Sequence, residues 1–388
     1  MRFEKTFTQQ EGIPEAGVER AIEILRSGRL HRYNTLSGEV AEATLLEQEY
    51  ASYQGAPFCL ATTSGGTALQ IALRAIGLGQ GDLVLTNAYT LAPVPGAISA
   101  VGARPVLVES TADWTLDLEH LVAQAEATGA KTLMLSHMRG HLVDMDALMQ
   151  VCRNLEIKVI EDCAHTMGAR WNGKRSGNFG DVACFSTQTY KHLNSGEGGF
   201  LTTSDEEVAA RAIILSGSYM LYERHGARPA EEVFSRVKTK APNCSSRMDN
   251  LRAAIIRAQL PDLEENIGRW NRRYNALESG LRGKESFQIR EISKNEFHVG
   301  SSFQFHYFGG DVPSFVRRCA SRGVEIKWFG AAQPKGFTSR YDSWHYLDDM
   351  PRLERTEQVL STTCDIRVPL TFTPEDCDLI ARIIVDCA

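Results

Sequence analysis

Short, continuous apolar runs separated by amphipathic helical segments predict an α/β protein built on a mostly parallel sheet with helices on both faces. Three observations carry this. The runs LVLT (83–86), RPVLV (104–108), TLMLS (132–136), KVIED (158–162), VACFS (182–186) and GGFLTT (198–203) recur along the first half of the chain. Helical patterns at TALQIALRAIG (67–77), LEHLVAQAEAT (118–128) and MDALMQVCRN (145–154) lie between them. The chain's 388 residues, 43% of them hydrophobic, are enough for one large α/β domain with an appendage and a core that needs no staples.

The elements follow in order. Val18, Ala21, Ile22 and Leu25 fall at helical spacing, and a second helical pattern runs from about Val40 to Tyr53, with the polar stretch SGRLHRYNTLSGE between them. No helix separates the runs at 182–186 and 198–203, so the sheet is expected to be mixed there. The polar stretch 217–246, rich in Arg, Tyr and Ser, reads as a long functional loop. A long helical pattern from about Met248 to Leu281 leads into a smaller α/β unit, with strands expected at 303–308, 324–329 and 366–370. We therefore expect a large domain over 1–250 and a smaller one over 251–388.

Charge and cysteine usage exclude several function classes. With 42 Lys+Arg against 48 Asp+Glu, a net charge of −6 leaves no basic stripe for nucleic acid. Nine scattered cysteines without a CxxC pair read as reduced, mostly core thiols. The start, MRFEKTFTQQEG, lacks the apolar segment of a signal peptide, and no run approaches the length that spans a bilayer. The expectation is a cytoplasmic protein whose partners are small molecules and copies of itself, with no nucleic acid and no membrane.

Four local features carry chemistry. In ATTSGGTALQIAL (61–73) a Ser-Gly-Gly-Thr turn opens a helix. Glycine lets backbone approach an anion, and the free N–H groups of a helix start suit a phosphate, although the same turn also serves as a plain cap. VIEDCAH (159–165) sets Asp162 at the carboxyl end of a buried strand, where ligands of open α/β sheets bind. A carboxylate there holds a cationic heterocycle protonated, coordinates a metal, or caps the next helix. In CFSTQTYKHLNSGEGG (184–199) Ser186 ends a strand and Lys191 follows in a polar loop. A lysine desolvated or set near another cation becomes a carbonyl-trapping amine; a solvated one is only surface charge. APNCSSRMDNLRAAI (241–255) places polar donors at the start of a helix.

Together these features resemble the fold-type I pyridoxal-phosphate enzymes, and in particular the DegT/StrS branch of sugar-nucleotide and secondary-metabolite aminotransferases. The resemblance runs from roughly Gly38 to the C-terminus and is strongest over 61–203. It implies a fold-type I transferase and pyridoxal 5'-phosphate as cofactor. Lys191 then matches the lysine that links to the cofactor and shuttles the substrate proton, and Asp162 the acid that pairs with the pyridine nitrogen. His165 occupies the position that packs on the ring or bonds its phenolic oxygen. Ser64, Gly65, Gly66 and Ser186 match the phosphate-holding residues, and Asn243 the residue with which a neighbouring subunit completes that site. The resemblance also implies a homodimer with the site at the subunit interface. The reaction it implies is amino transfer from an amino acid donor, glutamate or glutamine, to a ketone or aldehyde of a sugar, cyclitol or other biosynthetic intermediate. The alternative is another reaction class on the same cofactor: carbon–carbon bond formation, elimination or replacement.

The sequence departs from that family in places. SGG-Thr replaces SGT, which makes Thr67 a further hydroxyl candidate. In TNAYTLAP, either Tyr89 or Leu91 falls where an aromatic stacks on the ring. FSTQTYK sets Gln188 at a position that can face the substrate, Ser245 competes with Asn243, and KWFGAAQP (327–334) replaces a stretch that borders the substrate. His137 and His141 in HMRGH read as structural rather than as a metal pair, and no metal is expected. The aromatic stretches RYDSWHY (340–346) and SYMLYER (218–224) read as pocket lining or interface packing, and Cys163 as a packed core thiol.

Overall fold

The computed structural model describes residues 1–333, 340–347 and 350–388. Pro334 of the KWFGAAQP stretch lies outside the described residues. The strands are β1 (Phe58–Thr62), β2 (Leu83–Asn87), β3 (Arg104–Val108), β4 (Thr132–Ser136), β5 (Lys158–Asp162), β6 (Arg170–Trp171), β7 (Lys174–Arg175), β8 (Val182–Ser186), β9 (Gly199–Thr203), β10 (Phe287–Gln288), β11 (Glu296–Phe297), β12 (Ser302–Tyr307), β13 (Lys327–Trp328) and β14 (Thr363–Arg367). Seven of them form the large sheet in the order β1-β9-β8-β5-β4-β2-β3. Only β9 runs against the rest, pairing antiparallel with β1 and β8. That is the mixed pairing expected where no helix separates two runs. A four-stranded antiparallel sheet, β10-β12-β14-β13, lies in the C-terminal part, and β11-β6-β7 form a small third sheet.

The apolar runs are continuous because both faces of the large sheet are covered. Leu133, Leu135, Val159, Ala183 and Phe185 enter one core, while Met134, Ile160, Val182 and Cys184 enter the other. The helices covering these faces include α2 (Glu42–Gln54), α3 (Gly65–Ala75), α4 (Pro93–Ala100), α5 (Leu118–Thr128), α6 (Met145–Asn154), α7 (Glu206–Ile213) and α8 (Glu231–Val237). The side chains of Ser64, Asp117, Asp144 and Asp205 each accept a first-turn N–H, which fixes the starts of α3, α5, α6 and α7. A buried cluster of Arg32, Glu47 and His225 ties the N-terminal loop and the segment near 225 to α2, with Arg32 Nη2 at 2.6 Å and His225 Nε2 at 3.1 Å from Glu47 Oε2. Those two partners outweigh burial and push the Glu47 carboxyl down to about 2.

Three sequence expectations change, and the first helix packs in its own way. The helical pattern from 248 to 281 is two helices, α9 (Asn250–Arg257) and α10 (Leu263–Leu281), joined by a tight turn at Leu260–Asp262. Pro261 has no N–H to donate and its ring crowds the preceding turn, so one straight helix cannot pass through it. The stretch 217–246 is not all loop, because α8 buries Val233, Phe234 and Val237. The last strand spans Thr363–Arg367 rather than 366–370; Pro369 cannot join a ladder, and the polar–apolar alternation sits upstream. Helix α1 (Glu15–Ser27) leaves Val18, Ile22 and Leu25 partly exposed and packs on α9 through Gly17, where a Cβ would come within 2.8 Å of Ala258 Cβ.

In the C-terminal part, α10, α11 (Val312–Ser321) and α13 (Pro374–Cys387) cover the apolar face of the smaller sheet, and α12 (Glu354–Thr362) precedes β14. Phe3 and Phe7 reach across from the start of the chain and pack edge-on against Phe372 in this core. Among the described residues, no helix is long and apolar enough to cross a membrane.

Candidate functional site

Register brings the ends of the parallel strands together: Ser136 pairs with Asp162, and Asp162 with Cys184, two residues before the end of β8. The cavity at this edge is lined by residues that are far apart in sequence, among them Gly65, Gly66, Leu91, Ser136, Asp162, His165, Ser186 and Lys191. It is a cleft partly open to solvent. Six of the sequence candidates (Gly65, Gly66, Asp162, His165, Ser186 and Lys191) therefore meet at one place.

At one end lies the start of α3. Ser64 Oγ accepts the Thr67 N–H at 3.1 Å and lies 2.8 Å from Thr67 Oγ1. The two glycines act differently. A Cβ on Gly65 would stand 2.8 Å from Ser186 Cβ, so glycine lets the helix start close onto the end of β8. A Cβ on Gly66 would meet nothing nearer than Ser64 Oγ at 3.9 Å and would only fill open space. Hydroxyls of Ser64, Thr67 and Ser186 beside a helix N-terminus make a cradle for a phosphate.

On the far wall, Asp162 Oδ1 accepts the Ala164 N–H at 3.1 Å, and Ser136 Oγ lies 3.5 Å from Oδ2. Thr90 Oγ1 donates to Ser136 Oγ at 2.7 Å, extending the chain of polar contacts. Burial raises the Asp162 carboxyl above its ordinary value, and neither the Ala164 N–H nor the nearby Lys191 charge reverses this. Such a carboxylate gains most from a cationic partner.

Lys191 lies between these ends. Its Nζ is 2.7 Å from His165 Nε2, and His165 Nδ1 accepts the Arg139 N–H at 3.3 Å. A ring that accepts at Nδ1 carries its proton at Nε2, so in this contact Lys191 Nζ accepts in its neutral form. Electrostatics agree. Burial and the charge of Arg139, with a further push from Arg367, bring Lys191 down to about 7, although Asp162 opposes them. Burial and the Lys191 charge push His165 well below its ordinary value.

The remaining candidates lie elsewhere. Leu91 lines the cavity, whereas Tyr89 is fully buried beside it, its ring 5.3 Å from Phe329 and edge-on to it. Asn243 and Ser245 are exposed in a turn where Asn243 Oδ1 accepts the Ser245 N–H at 3.0 Å, outside the cavity of their own chain. Gln188 is half-buried and its Oε1 accepts the Tyr190 N–H. His192 turns away to Ser301 Oγ at 3.0 Å. His137 is taken up by Glu161 at 3.0 Å and His141 stacks on Trp114. The ligand atoms of His137, Glu161 and Cys163 lie within 4.8 Å of one another. Glu161, however, already accepts the N–H groups of Gly177, Phe179 and Gly180, and burial pushes the Cys163 thiol far up. Tyr341, Trp344 and Tyr222 are buried packing residues. Ser136 and Thr90 were missed in the sequence, though a serine closing the run TLMLS, at the same strand end as Asp162, was the available signal.

Residues 13–384 match the model of the DegT/DnrJ/EryC1/StrS aminotransferase family. Over 222 residues the chain is 35% identical to GDP-perosamine synthase of Caulobacter vibrioides, covering 57% of each chain. Over 223 residues it is 36% identical to dTDP-3-amino-3,4,6-trideoxy-alpha-D-glucose transaminase of Micromonospora megalomicea, covering 57% of this chain and 56% of that one. The chain thus spans little more than half the length of these curated relatives. The crystal structure of 3-amino-5-hydroxybenzoic acid synthase superposes with a TM-score of 0.84 at 25% identity, over 100% of this chain and 99% of that one. The architecture is that of the α/β fold-type I transferases, as the sequence predicted.

Proposed function

The chain belongs to the DegT/DnrJ/EryC1/StrS aminotransferase family, and from that premise we propose that it is a pyridoxal-phosphate-dependent aminotransferase. It moves an amino group from an amino acid donor, glutamate or glutamine, to a ketone or aldehyde of a sugar, cyclitol or related biosynthetic intermediate. The observation that carries the reading is one cavity holding a half-buried lysine brought down to about 7, a carboxyl raised by burial, and a glycine-lined helix start.

That donor set fits the cofactor. Ser64, Gly65, Gly66, Thr67 and Ser186 would hold its phosphate, Asp162 its ring nitrogen, and Lys191 its carbonyl carbon. Leu91, rather than Tyr89, would cover the ring, and Asn243 of a second copy would complete the phosphate site. When bound, pyridoxal phosphate supplies a carbonyl for the amine and a cationic ring that stabilises negative charge on the neighbouring substrate carbon. The protein's own residues do the rest. Asp162 is the carboxylate that keeps a ring nitrogen protonated, and Ser136 with Thr90 orients it. Lys191 Nζ, brought down to about 7 and so partly neutral near that pH, takes and returns the proton on the substrate carbon. His165 holds that amine by its Nε2–H, and the apolar Leu91 and Met138 walls exclude water.

The same proposal covers organisation. Residues 1–250 form the cofactor-binding domain and 251–388 the smaller one. The active form is a cytoplasmic homodimer, a state supported by the exposed Val18, Ile22, Leu25, Leu36 and Val40 of the N-terminal segment and by nine free cysteines, eight of them buried.

The test is the visible spectrum of the purified protein before and after L-glutamate or L-glutamine, repeated with Lys191→Ala. A bound-cofactor band that bleaches with one of these donors, and is absent from the variant, is the expected result. A band that no amino acid converts moves the reaction to another class on this cofactor. Failure of the wild type to take up pyridoxal phosphate overturns the reading.

A further inference from the structure

The smaller sheet turns an unusually polar face toward the site. In β12 and β14 the side chains alternate: Phe303, Phe305, Cys364 and Ile366 enter the apolar core, and their neighbours point the other way. Register sets Gln304 opposite Asp365, Asp365 opposite Lys327, and Arg367 two residues along the same face. Gln304 and Asp365 are more than nine-tenths buried, so this face lies inside the molecule.

We propose that this face and the loop after β4 form an oxyanion subsite, in which Arg139, Arg367 and Lys327 hold a carboxylate or phosphate group of the substrate beside Lys191. The inference rests on the aminotransferase reading and deepens it, by naming a charged group that the substrate must carry.

Each cation is positioned by the fold. Arg139, at φ 57°, donates its backbone N–H to His165 Nδ1, and its carbonyl accepts from Ser302 Oγ at 3.3 Å. Its guanidinium reaches Asp365 Oδ2 at 2.8 Å and lies 5.8 Å over the Phe329 ring. The guanidinium of Arg367 stacks 3.8 Å from the ring centre of Tyr190, the residue before Lys191. Stacking uses the flat face of a guanidinium and leaves its edge, the part that grips a carboxylate or phosphate in two parallel bonds, in plane. Lys327 sits on β13, at the outer edge of the sheet.

Charge decides what fits. These groups border a cleft partly open to solvent, where, among the described residues, Arg139, Arg367 and Lys327 gather beside Asp365. Arg317 and Glu325 also line it and leave the excess unchanged. Gathering like charges away from water is unfavourable unless an anion joins them. Its mark is visible: burial and the neighbouring guanidinium groups push Lys327 down to about 8. An oxyanion is the ligand that relieves this strain.

The test is calorimetric titration of the pyridoxal-phosphate-loaded protein with glutarate and, separately, with inorganic phosphate. Loading fills the α3 cradle, so phosphate then reports a second site. We expect at least one of the two anions to bind, and Arg367→Gln and Lys327→Gln each to weaken it about tenfold or more, the scale of a lost hydrogen bond to a charged group. The cofactor band stays unchanged in both, and Arg367→Lys keeps part of the affinity. Lys327 is on an edge strand, so its variant reads binding even where Arg367→Gln fails to fold. Tighter glutarate binding assigns a carboxylate; tighter phosphate binding assigns a phosphate ester. Wild-type protein that binds neither anion, or Gln variants that bind as wild type does, overturns the subsite and leaves the aminotransferase reading standing. Protein that takes up no cofactor overturns that reading instead, and the glutarate titration still reads the subsite.

Discussion

Glu161 and Asp162 are adjacent on β5, and the pleat of the strand sends their carboxyl groups to opposite faces of the large sheet. Glu161 accepts three backbone N–H groups and His137, all within 3.0 Å, on the side of the first core. Burial alone would raise its carboxyl, but these partners outweigh burial and hold it below the ordinary value. Asp162 has the Ala164 N–H at 3.1 Å and a longer Ser136 contact, and burial wins. The two neighbouring acids, Glu161 fully buried and Asp162 half-buried, thus do different jobs. The saturated one locks the 177–180 turn against the sheet, and the under-partnered one is ready for a cation brought into the cavity. The number of donors, together with exposure to the cavity, separates a structural carboxylate from a functional one.

The largest test of this contrast is Lys191→Ala, which removes the amine on the Asp162 side of the strand. We expect amino transfer to fall by about 10⁴-fold or more, with the cofactor band lost and thermal stability kept. Residual activity near wild type would move the reacting amine elsewhere.

Next come the two acids themselves. Glu161→Gln replaces two accepting oxygens with one and faces a donor toward donors, so the folded state loses about 3 kcal/mol, read by denaturant unfolding. Asp162→Asn changes the stability of the cofactor-free protein by less than about 1 kcal/mol, while amino transfer falls roughly 10²–10⁴-fold. Equal destabilisation by both would erase the distinction.

Acid melts sharpen the same comparison, because the two shifts have opposite signs. Glu161 is depressed in the fold, so its stabilisation is full above its unfolded value and fades as pH falls through the folded value. Asp162 is raised, so its contribution is full below its unfolded value and is lost as pH rises through the folded value. Between pH 6 and 3 the gap between wild type and Glu161→Gln should therefore narrow, while wild type gains relative to Asp162→Asn.

A smaller effect concerns the amine: uptake of pyridoxal phosphate by the cofactor-free protein should speed up with pH through about 7 and then level off. A midpoint near the ordinary lysine value would mean Lys191 is solvated. The smallest effects separate the two glycines of the turn. Gly65→Ala forces a 2.8 Å contact with Ser186 and destabilises by about 1–3 kcal/mol. Gly66→Ala leaves stability within about 0.5 kcal/mol and weakens cofactor uptake only.

The six strands read between 83 and 203 were legible because each run is apolar on both faces, a local property of side chains, whereas β1, α4, β6 and β7 went unread. Lys191, Asp162, Ser186 and the glycine turn were legible as types, since each stands at a strand end or helix start that the pattern marks. Tyr89 was read for the cavity, yet its ring belongs with Trp114, Met138 and Phe329. Two positions along a loop are enough to exchange it for Leu91, the other residue the sequence offered, and no periodicity fixes a loop's register. KWFGAAQP, which holds Lys327, was read as bordering the substrate, but its meeting with Arg139 and Arg367 was not, because only the β12-β14-β13 pairing and the β4 loop bring the three segments together. Placing the last strand at 366–370 also hid the alternation that sets Arg367 beside Asp365.

By itself the sequence determined the layered α/β architecture and the kinds of side chain at each strand end, because burial periodicity and turn chemistry act over a few residues. Only the tertiary structure decided that Lys191 is brought down to about 7, that Asp162 rather than Glu161 faces the cavity, and that Arg139, Lys327 and Arg367 converge beside Asp365. Those properties depend on how much water is excluded and how many donors arrive from distant segments, and both are set when the chain closes on itself.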